Sequence, residues 1–282
     1  MKFSIVTPLL DGRQMFTACA ASVHAQRESA PELKIRHIVR ESAASASHCE
    51  DIANAFGCDY VRAPDSGIYD AIAAGLNAAV DNEADILCWL NADEQLLPDA
   101  INHVTAAFSA HPELDIVFGD YLIISPEGTV LSARREMPAR RFLLRNGVNY
   151  ILSCTTFFRR SLWTHLRPFS ADYQLLADKQ FYLRAMDSGA TFQHIPAYLA
   201  TYGATGRNAS LHPHARDEQA RLRNEIGVSK HACTRTVARI LRGTEKLFRG
   251  AYFPAHVETT VFNAEGQPLT FRGRVGTAWR WQ

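Results

Sequence analysis

The chain has 282 residues, 47% of them hydrophobic, enough to bury one substantial core with an appended smaller lobe. Lysine and arginine number 30 against 29 aspartates and glutamates, a balance without the basic excess of a nucleic-acid binder, so no nucleic-acid partner is expected. No run approaches the roughly 18 apolar residues of a membrane span, and six scattered cysteines without a CxxC pair suit a reducing, cytoplasmic setting.

FSIVTPL (3–9) is a β-branched run closed by Pro8 and the turn residues Asp11 and Gly12, which predicts a buried strand and then a loop. Met15, Phe16, Cys19 and Val23 recur at helical spacing up to Gln26. KIRHIV (34–39) reads as a second strand and DYVRAP (59–64) as a short third. Ile68, Ile72, Leu76, Ala79 and Val80 mark another helical stripe. DILCWL (85–90) is apolar on both faces, as a central parallel strand is, and Pro98 opens a helix carrying Ile101, Val104 and Phe108. DIVFGDYLII (115–124) closes the series. Strands alternating with helices predict an α/β chain with a mostly parallel, doubly wound sheet.

In such sheets ligands bind beyond the carboxyl ends of the strands, which here carry Thr7 to Asp11, Glu41, Asp65 and Asn91 to Glu94. The acids of WLNADE (89–94) therefore fall on the rim of a cleft. Hard oxygen ligands on one tight loop suit Mg²⁺ or Mn²⁺, which bind through few carboxylates and complete their shell with water and substrate phosphates. Asp93 is the first candidate ligand. The same residues equally suit an Asx turn that caps the next helix. Asp120, at a strand end, either approaches substrate or sits in a turn, and His194 reads as a structural histidine.

Four segments carry a resemblance: SIVTPLLDGRQMFTACAASVHAQ (4–26), PDSGIYDAIAAGL (64–76), DILCWLNADEQLLPDA (85–100) with FGD (118–120), and TTFFRRSLWTHLRPFSADYQLLADKQFYLRAMDSGA (155–190). In this order they resemble the family 2 glycosyltransferases of the small bacterial sugar-transferase type. The GIYDA stretch and the leucine, Asn and acidic pair are the most specific parts. The resemblance implies a GT-A-like fold, a Rossmann-like nucleotide-binding sheet, over residues 1–211. Its nucleotide-sugar half would span about 1–123 and its acceptor half about 124–211. It implies an inverting transfer from a nucleoside diphosphate sugar, a UDP-sugar first, to a glycan or lipid-linked acceptor in cell-surface polysaccharide synthesis.

The resemblance also implies roles. Thr7, Pro8 and Leu10 would line the nucleotide, with Glu41 facing base or ribose and Asp65 completing that wall. Asn91 and Ala92 would meet the donor, and Asp93 would hold Mn²⁺ or Mg²⁺ across the diphosphate with Glu94 assisting through water. Arg207, in TGRNAS, would reach the diphosphate, and Asp178 would be the general base. The chain departs from the family pattern at Glu41, Ala46, Ala73 and Asn91. A nucleotidyltransferase and a non-catalytic nucleotide or glycan binder are the alternatives.

Residues 212–282 read as a helical extension and a terminal hairpin, with strands VETTVF and PLTFRG. TRTVARILRGTEKLFRGAYF (234–253) is the concentrated basic stripe of the chain. Such a helix either makes peripheral contact with an anionic membrane or packs on the main domain with a solvated basic face.

Overall fold

The computed structural model describes residues 1–147, 149–166, 169, 173–205, 215–225 and 232–278. Strand β1 (Lys2–Leu9) pairs in parallel with β2 (Lys34–Ser42) on one side and β4 (Ile86–Trp89) on the other, and β2 pairs in parallel with β3 (Asp59–Ala63). Helices α1 (Arg13–Ser29), α2 (Glu50–Ala55) and α3 (Ile68–Asp81) fill the crossovers. Every β1 residue from Phe3 to Leu9 is buried, because helices cover both faces of the sheet. Alternation divides the side chains between two cores: Phe3, Ile5, Ile86 and Cys88 join one cluster, Val6, Leu87 and Trp89 the other. At Gly75 a Cβ would lie 2.4 Å from Val6 Cγ1, so only glycine lets α3 ride this close to β1.

The second half contains β5 (Gln95–Leu96), α4 (Ala100–Ala110), β6 (Ile116–Ile124), β7 (Val130–Arg134), α5 (Arg141–Asn146), β8 (Thr156–Arg159), α6 (Arg160–Leu166), α7 (Ala177–Asp187) and β9 (Phe192–Gly203). The strand order is β3-β2-β1-β4-β8-β6-β9-β5, with β7 on β6. DIVFGDYLII is thus β6, but it does not adjoin the fourth strand: β8 lies between them, antiparallel to both. The TFFR of β8 is too short to show a period in sequence. Asp120 lies in the middle of β6, neither at its end nor in a turn: it forms a buried pair with His194 at 2.8 Å and accepts the Glu136 backbone N–H at 2.8 Å, so this acid is spent on holding β6 against its neighbours.

The C-terminal part adds α8 (Ala215–Glu225), α9 (Ala232–Phe248) and the expected antiparallel hairpin, β10 (Ala255–Phe262) with β11 (Pro268–Val275). Val257, Val261 and Val275 share a small core with Leu97, Leu122 and Ile124. Gln95 donates to the Phe262 carbonyl at 3.0 Å and accepts the Phe262 N–H at 2.7 Å, so the hairpin braces β5, the strand that follows WLNADE. The expected boundary at 211 and 212 lies outside the described residues. Among the described residues no helix is long and apolar enough to cross a membrane.

Candidate active site

A cleft of about 710 Å³ opens at the carboxyl ends of β1 and β4. It brings together Pro8 near the end of β1, Leu10 just after it, Asp65 before α3, Asn91, Ala92, Asp93 and Glu94 after β4, and Asp178 in the first turn of α7. Thr7 and Glu41 do not line it. Strand alternation turns Thr7 into the core, where its hydroxyl lies 2.8 Å from His37 Nε2. Glu41 is also buried and accepts the Cys49 N–H at 3.1 Å and the Tyr60 hydroxyl, while Ser42 reaches the wall instead. Arg207 and the rest of GRNAS lie outside the described residues.

The turn after β4 is closed on itself. Glu94 accepts the Asn91 N–H at 2.7 Å with its carboxylate and donates its own N–H to the Asn91 carbonyl at 3.0 Å. It caps no helix, since α4 begins at Ala100 with Asp99 as its N-cap. Burial holds the Asp93 and Glu94 carboxyls above their usual range, and for Glu94 the neighbouring Asp93 charge adds to the effect. Asn91 Oδ1 is buried without a hydrogen-bond partner among the described residues. Behind the turn, Gly203 at the end of β9 packs so closely that a Cβ there would lie 2.6 Å from the Asp93 carbonyl oxygen and 3.0 Å from Asp93 Oδ2.

These groups fit a divalent cation. The described residues contain no cluster of three or more His, Cys, Asp or Glu side chains. One crowded carboxylate beside an orphaned amide oxygen matches a hard ion that takes most of its ligands from phosphate and water.

Asp178 is held from three sides. Asn149 Nδ2 donates to Oδ2 at 2.9 Å, the Lys179 N–H to Oδ1 at 2.6 Å, and the Tyr69 hydroxyl also hydrogen-bonds it. Burial pushes its pKa up to about 6, opposed by the Lys179 N–H and the Lys179 charge. The segment before α7 is clamped from α8: Glu218 accepts the N–H groups of Gln174, Leu175 and Leu176 at 2.8, 2.8 and 3.1 Å. Sequence reasoning missed Asn149, Tyr69, Glu218, Gly203 and the cleft-lining Arg134. Only Tyr69, inside the GIYDA stretch, lay in a segment already singled out.

A carboxylate raised in this way accepts a proton only when ionised, so the sign for activity follows directly. Below about pH 6 Asp178 is protonated and cannot act as a base; above it, it can. The rate of any reaction that uses it rises with pH along a limb of apparent pKa near 6. A pH profile of kcat/KM checks this, and a flat profile between pH 5 and 8, on the order of that window, contradicts it.

The sequence model described as Glycosyl transferase family 2 matches residues 4–166, more than half of the chain. A PGL/p-HBAD biosynthesis glycosyltransferase of Mycobacterium tuberculosis is 27% identical over 212 residues, covering 72% of this chain and 77% of the relative. Among solved structures, S. aureus TarS 1-349 in complex with UDP superposes with a TM-score of 0.60 at 16% identity, covering 80% of this chain and 65% of that one. The mannosyltransferase PcManGT from Pyrobaculum calidifontis, in complex with GDP-Man and Mn²⁺, gives 0.57 at 14% identity, covering 87% and 69%. At these identities the structural likeness speaks for the fold alone.

Proposed function

The chain belongs to glycosyl transferase family 2 and has the GT-A fold, and we propose that it transfers a sugar from a nucleoside diphosphate sugar to a hydroxyl of a glycan or lipid-linked acceptor, inverting the anomeric carbon. The observation that carries this reading is that Asp93 and Asp178, from distant parts of the sequence, line one cleft. In the proposed step Asp178 takes the proton of the acceptor hydroxyl. The acceptor oxygen then forms a bond to the anomeric carbon as the bond from that carbon to the β-phosphate oxygen breaks, its electron pair leaving with the diphosphate. Attack opposite the leaving group inverts the centre. Asn149, Tyr69 and the Lys179 N–H fix the carboxylate for that approach.

Asp93 would hold Mn²⁺ or Mg²⁺, with Asn91 beside it, and the ion when bound neutralises charge that builds on the departing diphosphate. Glu94 serves the site by closing the turn on Asn91. Pro8, Leu10 and Asp65 line the end of the cleft assigned to the nucleotide. A UDP-sugar is the first choice of donor, in keeping with the UDP bound to TarS, and GDP-Man in PcManGT is the second donor class to try. The relatives named for PGL/p-HBAD biosynthesis favour a lipid-linked or glycolipid acceptor, used in assembling cell-surface glycans.

The experiment is a panel of UDP-, GDP- and dTDP-sugars with Mn²⁺ and hydroxyl acceptors, reading release of nucleoside diphosphate and the anomeric configuration of the product by NMR. One donor is expected to turn over, dependent on acceptor, with inversion. Turnover of no donor, or a retained configuration, overturns the reading.

A further inference from the structure

Helix α9 is packed with its polar face inward. Lys246, 5% exposed, places Nζ 2.9 Å from Glu136 Oε1, and Arg242, stacked over the Tyr150 ring, lies 3.5 Å from Glu136 Oε2. Lys246 and Ala238 are buried, and the half-buried Arg242 shares their side of the helix. Val237, Ile240, Leu241, Leu247 and Phe248 fall on the opposite side at helical spacing and all face solvent, Phe248 at 90% and Ile240 at 58% exposure. Sequence reasoning offered a helix packed on the main domain with a solvated basic face; Arg235, Arg239 and Arg249 are exposed, Lys246 and Arg242 turn inward, and the apolar side is solvated as well.

Phe253, just after α9, is 60% exposed, and Phe142 on the adjoining α5 is exposed as well. An open groove of about 640 Å³ runs between α5 and α9, bordered by Phe142, Leu143, Leu241 and Phe248. A continuous exposed patch of large apolar side chains marks an interaction surface. Arginines accompany it: Arg140 and Arg249 line the groove, Arg141 and Arg145 belong to α5, and Arg235 and Arg239 are exposed on the side of α9 that carries Arg242 and Lys246. Glu245 pairs with Arg140 and Arg249, and Asp187 with Arg141.

We propose that this face docks the protein on an anionic lipid bilayer, with Ile240, Leu247 and Phe248 entering the headgroup and acyl boundary and the accompanying arginines meeting lipid phosphates. Charge decides the occupant. A two-fold contact between copies of this chain through the same patch would bring the two sets of arginines together, whereas anionic headgroups neutralise them. Position supports it too. The α5 helix runs into Gly147 and Asn149, whose carbonyl and amide hold Lys179 and Asp178 at 2.9 Å each, so the docked face lies one layer from the cleft.

The test is co-sedimentation of the full chain with vesicles of phosphatidylcholine containing about 30% phosphatidylglycerol, against phosphatidylcholine alone. No donor or acceptor is added, so the result stands apart from the transfer reaction. The chain is expected to bind the anionic vesicles at least about tenfold more tightly than the neutral ones. A Phe248→Asp, Ile240→Asp double variant, and separately Arg235→Glu with Arg239→Glu, are expected to weaken binding at least about tenfold with the thermal midpoint unchanged. Failure of the wild type to sediment with anionic vesicles overturns the proposal. So does a concentration-dependent dimer that the Phe248 and Ile240 substitutions dissociate, or retention of vesicle binding in those variants.

Discussion

Replacing Asp178 by Asn is expected to lower kcat for sugar transfer by roughly 10²- to 10⁴-fold while nucleotide affinity holds and the thermal midpoint changes little. The substitution keeps the volume of the side chain and one oxygen to accept from Asn149 or Lys179, so the packing of α7 survives. What it removes is the carboxylate that takes the acceptor proton in the proposed step. The competing view is an acidic residue in the first turn of α7 that merely favours the helix dipole, worth about 0.3 to 1 kcal/mol of stability and nothing in rate. The geometry separates the two. An exposed cap would keep an ordinary pKa, whereas burial lifts Asp178 to about 6 and three donors orient it towards the cleft. A small loss in midpoint with unchanged kcat would return the residue to the helix-cap role.

Gly203→Ala is the second substitution with a large expected effect, although Gly203 carries no side chain to touch a substrate. Its Cβ would stand 2.6 Å from the Asp93 carbonyl oxygen and 3.0 Å from its Cβ and Oδ2. The nearest atom is backbone, which cannot rotate away, so the turn after β4 must move, and the Asp93 carboxylate moves with it. A displacement of about 1 Å in a positioning group costs on the order of 10²-fold in rate. Transfer is therefore expected to fall about a hundredfold, with a loss of about 1 to 3 kcal/mol in stability for the crowding. Metal-dependent nucleotide binding is expected to weaken in parallel, because the defect sits at Asp93. A Gly203→Ala protein with wild-type kcat/KM would mean that the position of Asp93 does not govern the reaction.

The sequence shows some of this directly and hides the rest for physical reasons. The parallel strands β1, β2 and β4 and the helices between them announce themselves because strand and helix periods are local properties of the chain. The turn WLNADE is legible for the same reason: it follows a run buried on both faces. The hairpin β10–β11 is legible from its turn. Strand β8 is not, since its four residues are shorter than one readable repeat. Thr7 and Glu41 sit at strand ends in sequence, yet the alternation of the strand and the neighbours His37, Cys49 and Tyr60 decide that their side chains turn inward.

Nor can one-dimensional patterning show that Gly203 backs Asp93 or that Asn149 bonds Asp178, because each pairs residues far apart in the chain. Helix α9 is the clearest case. Its amphipathic pattern is plain in sequence, but which face turns inward depends on Glu136, a buried acid that draws Lys246 and Arg242 to it.

The central claim, a nucleotide-sugar donor held at Asp93, is tested most directly by thermal unfolding of the wild type and of Asp93→Ala with UDP, GDP, CMP and dTDP, each with and without Mn²⁺. Saturation at about a hundred times the dissociation constant stabilises the bound form by about 2.7 kcal/mol, a readable shift in midpoint. One nucleoside diphosphate is expected to raise the wild-type midpoint only when Mn²⁺ is present, and Asp93→Ala is expected to lose that shift. No shift with any nucleotide, or the same shift in Asp93→Ala, would contradict the assignment of the turn after β4 as the donor site.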